Sequence, residues 1–185
     1  LLECMEESQV TIDGETRLLQ QPFFVIATQN PIETAGTFPL PEAQLDRFMM
    51  KIDVGYPELQ EEINILDRFN EINPLDTITA ICSKMDILAI QNSISHIYIH
   101  PSLKEYIIKI IRKTRNSAEI SSGVSPRGSL AFARACRAYA SIQGRNYVIP
   151  EDIQYLAPYV LSHRLVMTSS YNKRIASKTI INTIL

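Results

Sequence analysis

Two arginines, each placed where a loop runs into an ordered element, are the residues of this chain best suited to meet an anion. Arg47 stands in the word Pro41-Glu42-Ala43-Gln44-Leu45-Asp46-Arg47-Phe48, and Arg127 in Ser125-Pro126-Arg127-Gly128, 80 residues further on. Serine is a favoured helix cap and proline a favoured first-turn residue, so Arg127 falls in the first turn of a predicted helix. Free N–H groups and the dipole make that end of a helix positive, and a cation there is otherwise disfavoured. Its presence points to a negative partner. A guanidinium is always charged, planar and delocalised, and it grips phosphate oxygens with a two-pronged fork. Asn30 is the third candidate. It follows the apolar run from Phe23 to Ala27, which reads as a strand buried on both faces, and ligands of open α/β sheets sit at the C-terminal strand ends. An amide there holds a water or an oxygen without adding charge. Taken singly, each residue also has a plainer account. Asn30 could start a turn before Pro31, Arg47 could form a surface pair with Asp46, and Arg127 could open a solvated basic face. That face would hold Arg134, Arg137 and Ser141 in line with Arg127, opposite Leu130, Ala131, Ala135 and Ala138. Glu42, Asp46, Arg134 and Arg137 are candidate interface residues.

Together the words are more specific than any one of them. The run Phe23-Phe24-Val25-Ile26-Ala27-Thr28-Gln29-Asn30-Pro31-Ile32-Glu33, followed by the PEAQLDRF word, resembles the MoxR group of AAA+ ATPases. The resemblance extends over essentially the whole chain and corresponds to the C-terminal part of the family's ATPase module. It implies that Asn30 is sensor 1, that Arg47 is an arginine finger offered to the nucleotide of a neighbouring subunit, and that Arg127 is sensor 2. It leaves open whether Arg127 reads its own subunit's nucleotide or the neighbour's. It further implies ATP and Mg2+ as cofactors and a cytoplasmic homo-oligomeric ring, a hexamer, that remodels or matures partner proteins. Two other readings stay beside it: a non-catalytic helical assembly module, and a nucleic-acid motor of the MCM-like branch. Nucleic acid is the weaker of these, because aromatic residues suited to base stacking are sparse.

A phosphate cradle needs G-x-x-x-x-G-K-[ST], and only Gly123 and Gly128 have that glycine spacing. No lysine follows them, and Pro126 removes an N–H that the cradle would use. No apolar strand ends in the Asp-Glu pair that would hold magnesium. The opening Leu1-Leu2-Glu3-Cys4-Met5 reads as the middle of a helix. The sequence is therefore expected to be a fragment that does not hydrolyse ATP or bind a cofactor tightly by itself.

The 185 residues have ordinary globular proportions, 45% hydrophobic and 21% charged, with a net charge of −2. That small number hides an asymmetry. Residues 1–100 hold 5 Lys+Arg against 16 Asp+Glu, a net of −11, and residues 101–185 hold 13 against 4, a net of +9. A split of this size suggests two units with opposite surface fields. No apolar run approaches the ~20 residues of a membrane span. Cys4, Cys82 and Cys136 lack the paired spacing of a disulfide framework or zinc site and read as reduced core thiols.

The elements that must hold the arginines follow from periodicity and punctuation. Val10 to Leu19 with Asp13-Gly14 at its centre reads as a hairpin, which resembles the pre-sensor 1 hairpin of the branch that includes magnesium chelatase and the MCM helicases. Met50, Ile52 and Val54 alternate as a second strand. Helices are predicted after Pro57, from the Ser83/Asp86 capping box, from Pro101, from Ser125 to Gly144, from Pro150 and after Tyr171, with Pro158 kinking or dividing the fifth. His96 and His100 read as strand surface, and His163-Arg164 as a helix C-terminal interaction. The expected fold is mixed α/β, with a core portion at 1–57, a connecting pre-sensor 2-like segment at 58–100 and an all-α lid at 101–185.

Overall fold

The computed structural model describes residues 2–29, 41–69, 74–168 and 173–185. Helix α1 (Leu2–Glu7) leads into an antiparallel hairpin of β1 (Gln9–Ile12) and β2 (Glu15–Leu18), with Val10 opposite Arg17 and Ile12 opposite Glu15. Asp13 and Gly14 both have positive φ, 52° and 81°, the geometry a two-residue turn needs to follow the strand twist. Then come α2 (Glu42–Leu45), α3 (Leu59–Phe69) and α4 (Lys84–Ile94). Ser83 and Asp86 cap α4 reciprocally: the Asp86 N–H donates to Ser83 Oγ at 3.2 Å, and the Ser83 N–H to Asp86 Oδ2 at 2.7 Å.

Four longer helices carry the core. They are α5 (Pro101–Asn116), α6 (Pro126–Ile142), α7 (Pro150–Leu161) and α8 (Lys173–Ile184). Proline opens three of them in the first turn, where its missing N–H has no intrahelical partner to lose. Ile107, Ile110 and Ile111 of α5, Phe132, Ala135, Cys136 and Ala140 of α6, and Ile153, Leu156, Ala157, Val160 and Leu161 of α7 bury one face each. Ile97 and Ile99 join this core because their strand-like segment pairs with residues 146–148, through Tyr98 N–H to Asn146 O (2.9 Å) and Val148 N–H to Tyr98 O (3.0 Å). Among the described residues, the buried apolar core begins at Ile97.

Several expectations change. Residues 23–27 and 50–54 form no strand, and Phe24, Ile26, Ile52 and Val54 are exposed. A strand is completed by its neighbours, and none among the described residues lies beside these two. Pro158 does not divide α7, because it falls in the last turn, ahead of a 3₁₀ turn at Ser162–Arg164. His100 is no strand residue: it caps α5, its Nδ1 accepting from the Ser102 N–H. Leu130 is exposed, so α6 turns Phe132 and Cys136 inward instead. Of the three cysteines only Cys136 is core, its thiol pushed up to about 12 by burial, whereas Cys82 is exposed. A two-stranded sheet of β3 (Ile120–Ser122) and β4 (Val166–Met167) was not expected, being too short to show a period.

Candidate functional site

The two arginine-bearing words meet. Ser125 caps α6, its Oγ accepting from the Gly128 N–H at 3.2 Å, and the same hydroxyl donates to Asp46 Oδ2 at 2.9 Å. Asp46 immediately precedes Arg47, and Ser125 stands two residues before Arg127. One hydrogen bond thus brings the loops of both arginines together. Arg47 is half-buried after α2, and Arg127 is exposed in the first turn of α6. Glu42 and Arg134 are exposed, and Arg137 is half-buried. Asn30 lies outside the described residues.

Local contacts fix the approach to Ser125. The Val124 N–H donates to Thr114 Oγ1 at 3.2 Å and its carbonyl accepts from Arg115 Nε at 2.8 Å, so both main-chain groups of this buried residue are satisfied from α5. The glycine pair that mimics a phosphate cradle has a packing role. A Cβ at Gly123 would fall 2.8 Å from the Arg115 backbone, and one at Gly128 would fall 2.5 Å from Val124 Cγ1 and 3.1 Å from Arg164 Cδ.

Arg164 is the residue that sequence reasoning undervalued. Its side chain is 1% exposed, and it leaves the 3₁₀ turn after α7 to grip the Asp46–Phe48 turn. Nη1 donates to Asp46 Oδ1 at 2.6 Å and to the Asp46 carbonyl. Nη2 donates to Phe48 O at 2.6 Å and reaches Met49 O at 3.5 Å, while Nε donates to Val160 O at 2.9 Å. A guanidinium has five N–H groups, and each has an acceptor here. The signal available beforehand was the position of Arg164 between Leu161 and Leu165-Val166. A charge set in an apolar run needs a buried partner.

His163 supports the same turn. A carbonyl can only accept, so the 3.1 Å contact with Phe48 O places the ring proton on Nε2. Burial is the main reason its pKa is pushed down to about 4, with Arg164 and Lys51 adding repulsion against the opposing pull of Phe48 O and Asp46. The fold therefore favours the neutral ring, and the unfolded chain takes up the proton first as pH falls. This contribution to stability is complete above about 6.5, shrinks between about 6.5 and 4, and is flat below. Denaturant unfolding at pH 7.5 and 5 should show the wild type losing about 1–2 kcal/mol more than His163→Gln, which keeps a donor without the titration. Equal losses would mean that His163 does not titrate against the fold.

Among the described residues, no group of three or more His, Cys, Asp or Glu side chains could hold a metal, and no helix is long and apolar enough to cross a membrane.

Comparison with known proteins places the fold. Residues 1–50 match the ATPase family associated with various cellular activities (AAA), and residues 112–184 match the AAA lid domain. A crystal structure from Cytophaga hutchinsonii, described as a candidate ATPase, superposes with a TM-score of 0.90 at 40% identity, covering 99% of this chain and 58% of that one. The fold and these matches define the C-terminal part of a AAA ATPase core followed by its helical lid. Among curated proteins, the chain is 49% identical over 167 residues to the uncharacterized protein YeaC of Bacillus subtilis, covering 90% of this chain and 52% of that one. It is 40% identical over 195 residues to Chaperone MoxR1 of Mycobacterium tuberculosis, covering 100% of this chain and 51% of the relative. The chain belongs to the MoxR group of AAA+ ATPases, and it spans about half the length of these relatives.

Proposed function

We propose that the intact protein is a cytoplasmic ring, a hexamer, that binds Mg-ATP between subunits and couples its hydrolysis to remodelling or maturing partner proteins. Residues 1–57 would be the end of the α/β core, 58–100 the connecting segment and 101–185 the lid. The observation that carries this reading is the 2.9 Å bond from Ser125 to Asp46, which gathers the loops of two phosphate-seeking arginines. ATP supplies the phosphoryl group and the free energy. This chain's residues would bind and orient its phosphates: Arg47 at a neighbour's nucleotide, Arg127 at a phosphate drawn to the positive end of α6, and Asn30 at the attacking water. The chain has no phosphate cradle, so these residues alone are expected to be inactive and to bind nucleotide weakly. The name Chaperone MoxR1 supports a client protein over nucleic acid.

Titrating nucleotide into the intact protein tests the site. Arg127→Ala should weaken binding by about 1–3 kcal/mol, the range for lost charged hydrogen bonds. It should leave the melting temperature unchanged or slightly higher, because a cation at a positive helix end stabilises little. Equal affinities and equal turnover would reduce Arg127 to a surface residue and favour the assembly-module reading.

A further inference from the structure

We propose that Arg164 and Asp46 form a positioning clamp through which the lid sets the attitude of Arg47. The inference rests on the reading of Arg47 as a residue that acts on nucleotide, and it adds two residues that touch no nucleotide themselves.

The geometry is specific to the residues that flank Arg47. On one side, the Asp46 carboxylate and carbonyl both accept from Arg164 Nη1. On the other, the Phe48 carbonyl accepts from Arg164 Nη2 at 2.6 Å and from His163 Nε2 at 3.1 Å. Arg47 is thus the middle residue of a turn pinned before and after by the end of α7. The planar fork is what lets one side chain span the two positions. A lysine ammonium would keep the charge but not the spread of donors. The Arg164 side chain is 1% exposed, so its charge is sequestered with these acceptors rather than presented to a ligand. Burying a charge carries a desolvation penalty that an apolar contact would avoid, and what the ion pair adds is fixed geometry. Gly128 leaves the room that the Arg164 stem occupies.

The second carboxylate oxygen extends the clamp to α6. Asp46 Oδ2 accepts from Ser125, whose hydroxyl caps the helix that begins with Pro126-Arg127. A rigid-body shift of the lid, including one caused by an anion drawing on Arg127, would move Ser125 and Arg164 together. Asp46 would follow, and Arg47 with it. Other links between the lid and the 50–54 segment are less constraining. They include the Lys51 N–H on Tyr159 O at 2.9 Å and the half-exposed Lys178–Asp53 pair at 2.6 Å.

The test uses the intact protein with Asp46→Asn, which keeps shape and one acceptor, and Arg164→Lys, which keeps charge. Each should lower kcat by about 10–100-fold, as expected for a reacting group displaced by ~1 Å, with nucleotide affinity within about twofold of wild type. Both changes leave a buried charge less well paired, so melting temperatures should fall, and turnover is compared per folded protein well below each variant's melting temperature. The decisive arm is epistasis. If the clamp acts through Arg47, adding Asp46→Asn to Arg47→Ala should lower turnover no further. A double variant slower than Arg47→Ala by the full Asp46→Asn factor would overturn the proposal. So would a kcat loss that merely tracks loss of folded protein, or wild-type turnover in both clamp variants. If Arg47→Ala itself keeps full turnover, the finger reading fails first and the clamp with it.

Discussion

Arg47→Ala is expected to remove nearly all ATP turnover from the intact protein, by about 10³-fold or more, while leaving ATP binding close to wild type. A guanidinium offered to a transferring phosphoryl group stabilises charge that spreads over its oxygens in the transition state. The interaction is therefore stronger there than in the bound ground state, and its loss falls on kcat. If the residue serves a neighbour, the defect belongs to an interface and not to a subunit. Mixing Arg47→Ala with a variant disabled in its phosphate cradle should then restore part of the activity, because some interfaces would pair a sound finger with a sound cradle. Steady-state turnover across mixing ratios is the measurement. A mixture that stays inactive, although both variants assemble with wild-type subunits, would contradict action in trans.

That expectation started from residue types, and what was legible in the sequence follows a physical division. Helices announce themselves locally. The Ser83/Asp86 box, the prolines at 101, 126 and 150 and the Ser125 cap each mark a start that the structure reproduces. Strands depend on remote partners. The apolar content of 23–27 and the alternation at 50–54 are those of strands, yet these segments leave Phe24 and Val54 exposed and carry no ladder. The arginine words were legible as motifs, but the contact between them was not. It is the Ser125–Asp46 bond, and beside it stands Arg164, whose five acceptors come mostly from a turn more than a hundred residues away. Sequence spacing carries no sign of such a pairing beyond a lone charge among apolar neighbours.

The same logic governs Arg145, whose loss should destabilise the lid fold. Its guanidinium meets the Asp152 carboxylate with both terminal nitrogens, Nη2 to Oδ1 at 2.5 Å and Nη1 to Oδ2 at 2.9 Å, and Nη1 also donates to Tyr147 O at 2.9 Å. Asp152 is 2% exposed and uses Oδ2 to accept from the Ile149 N–H at 3.0 Å, so one carboxylate caps α7 and anchors the loop after α6. Arg145→Met leaves that carboxylate buried with a single backbone donor, and the expected loss is clearly larger than that of a surface substitution. The loss is moderated because Arg145 itself is 22% exposed and solvent reaches its side of the pair. Replacing both partners, Arg145→Met with Asp152→Leu, removes the stranded charge and sacrifices mainly the cap, which contributes about 1 kcal/mol. The double variant should therefore be more stable than Arg145→Met alone. Urea unfolding of the four proteins in the cycle gives the coupling directly. If the single change is as mild as a surface substitution, or the double is the less stable of the two, Asp152 is solvated well enough to stand without its arginine.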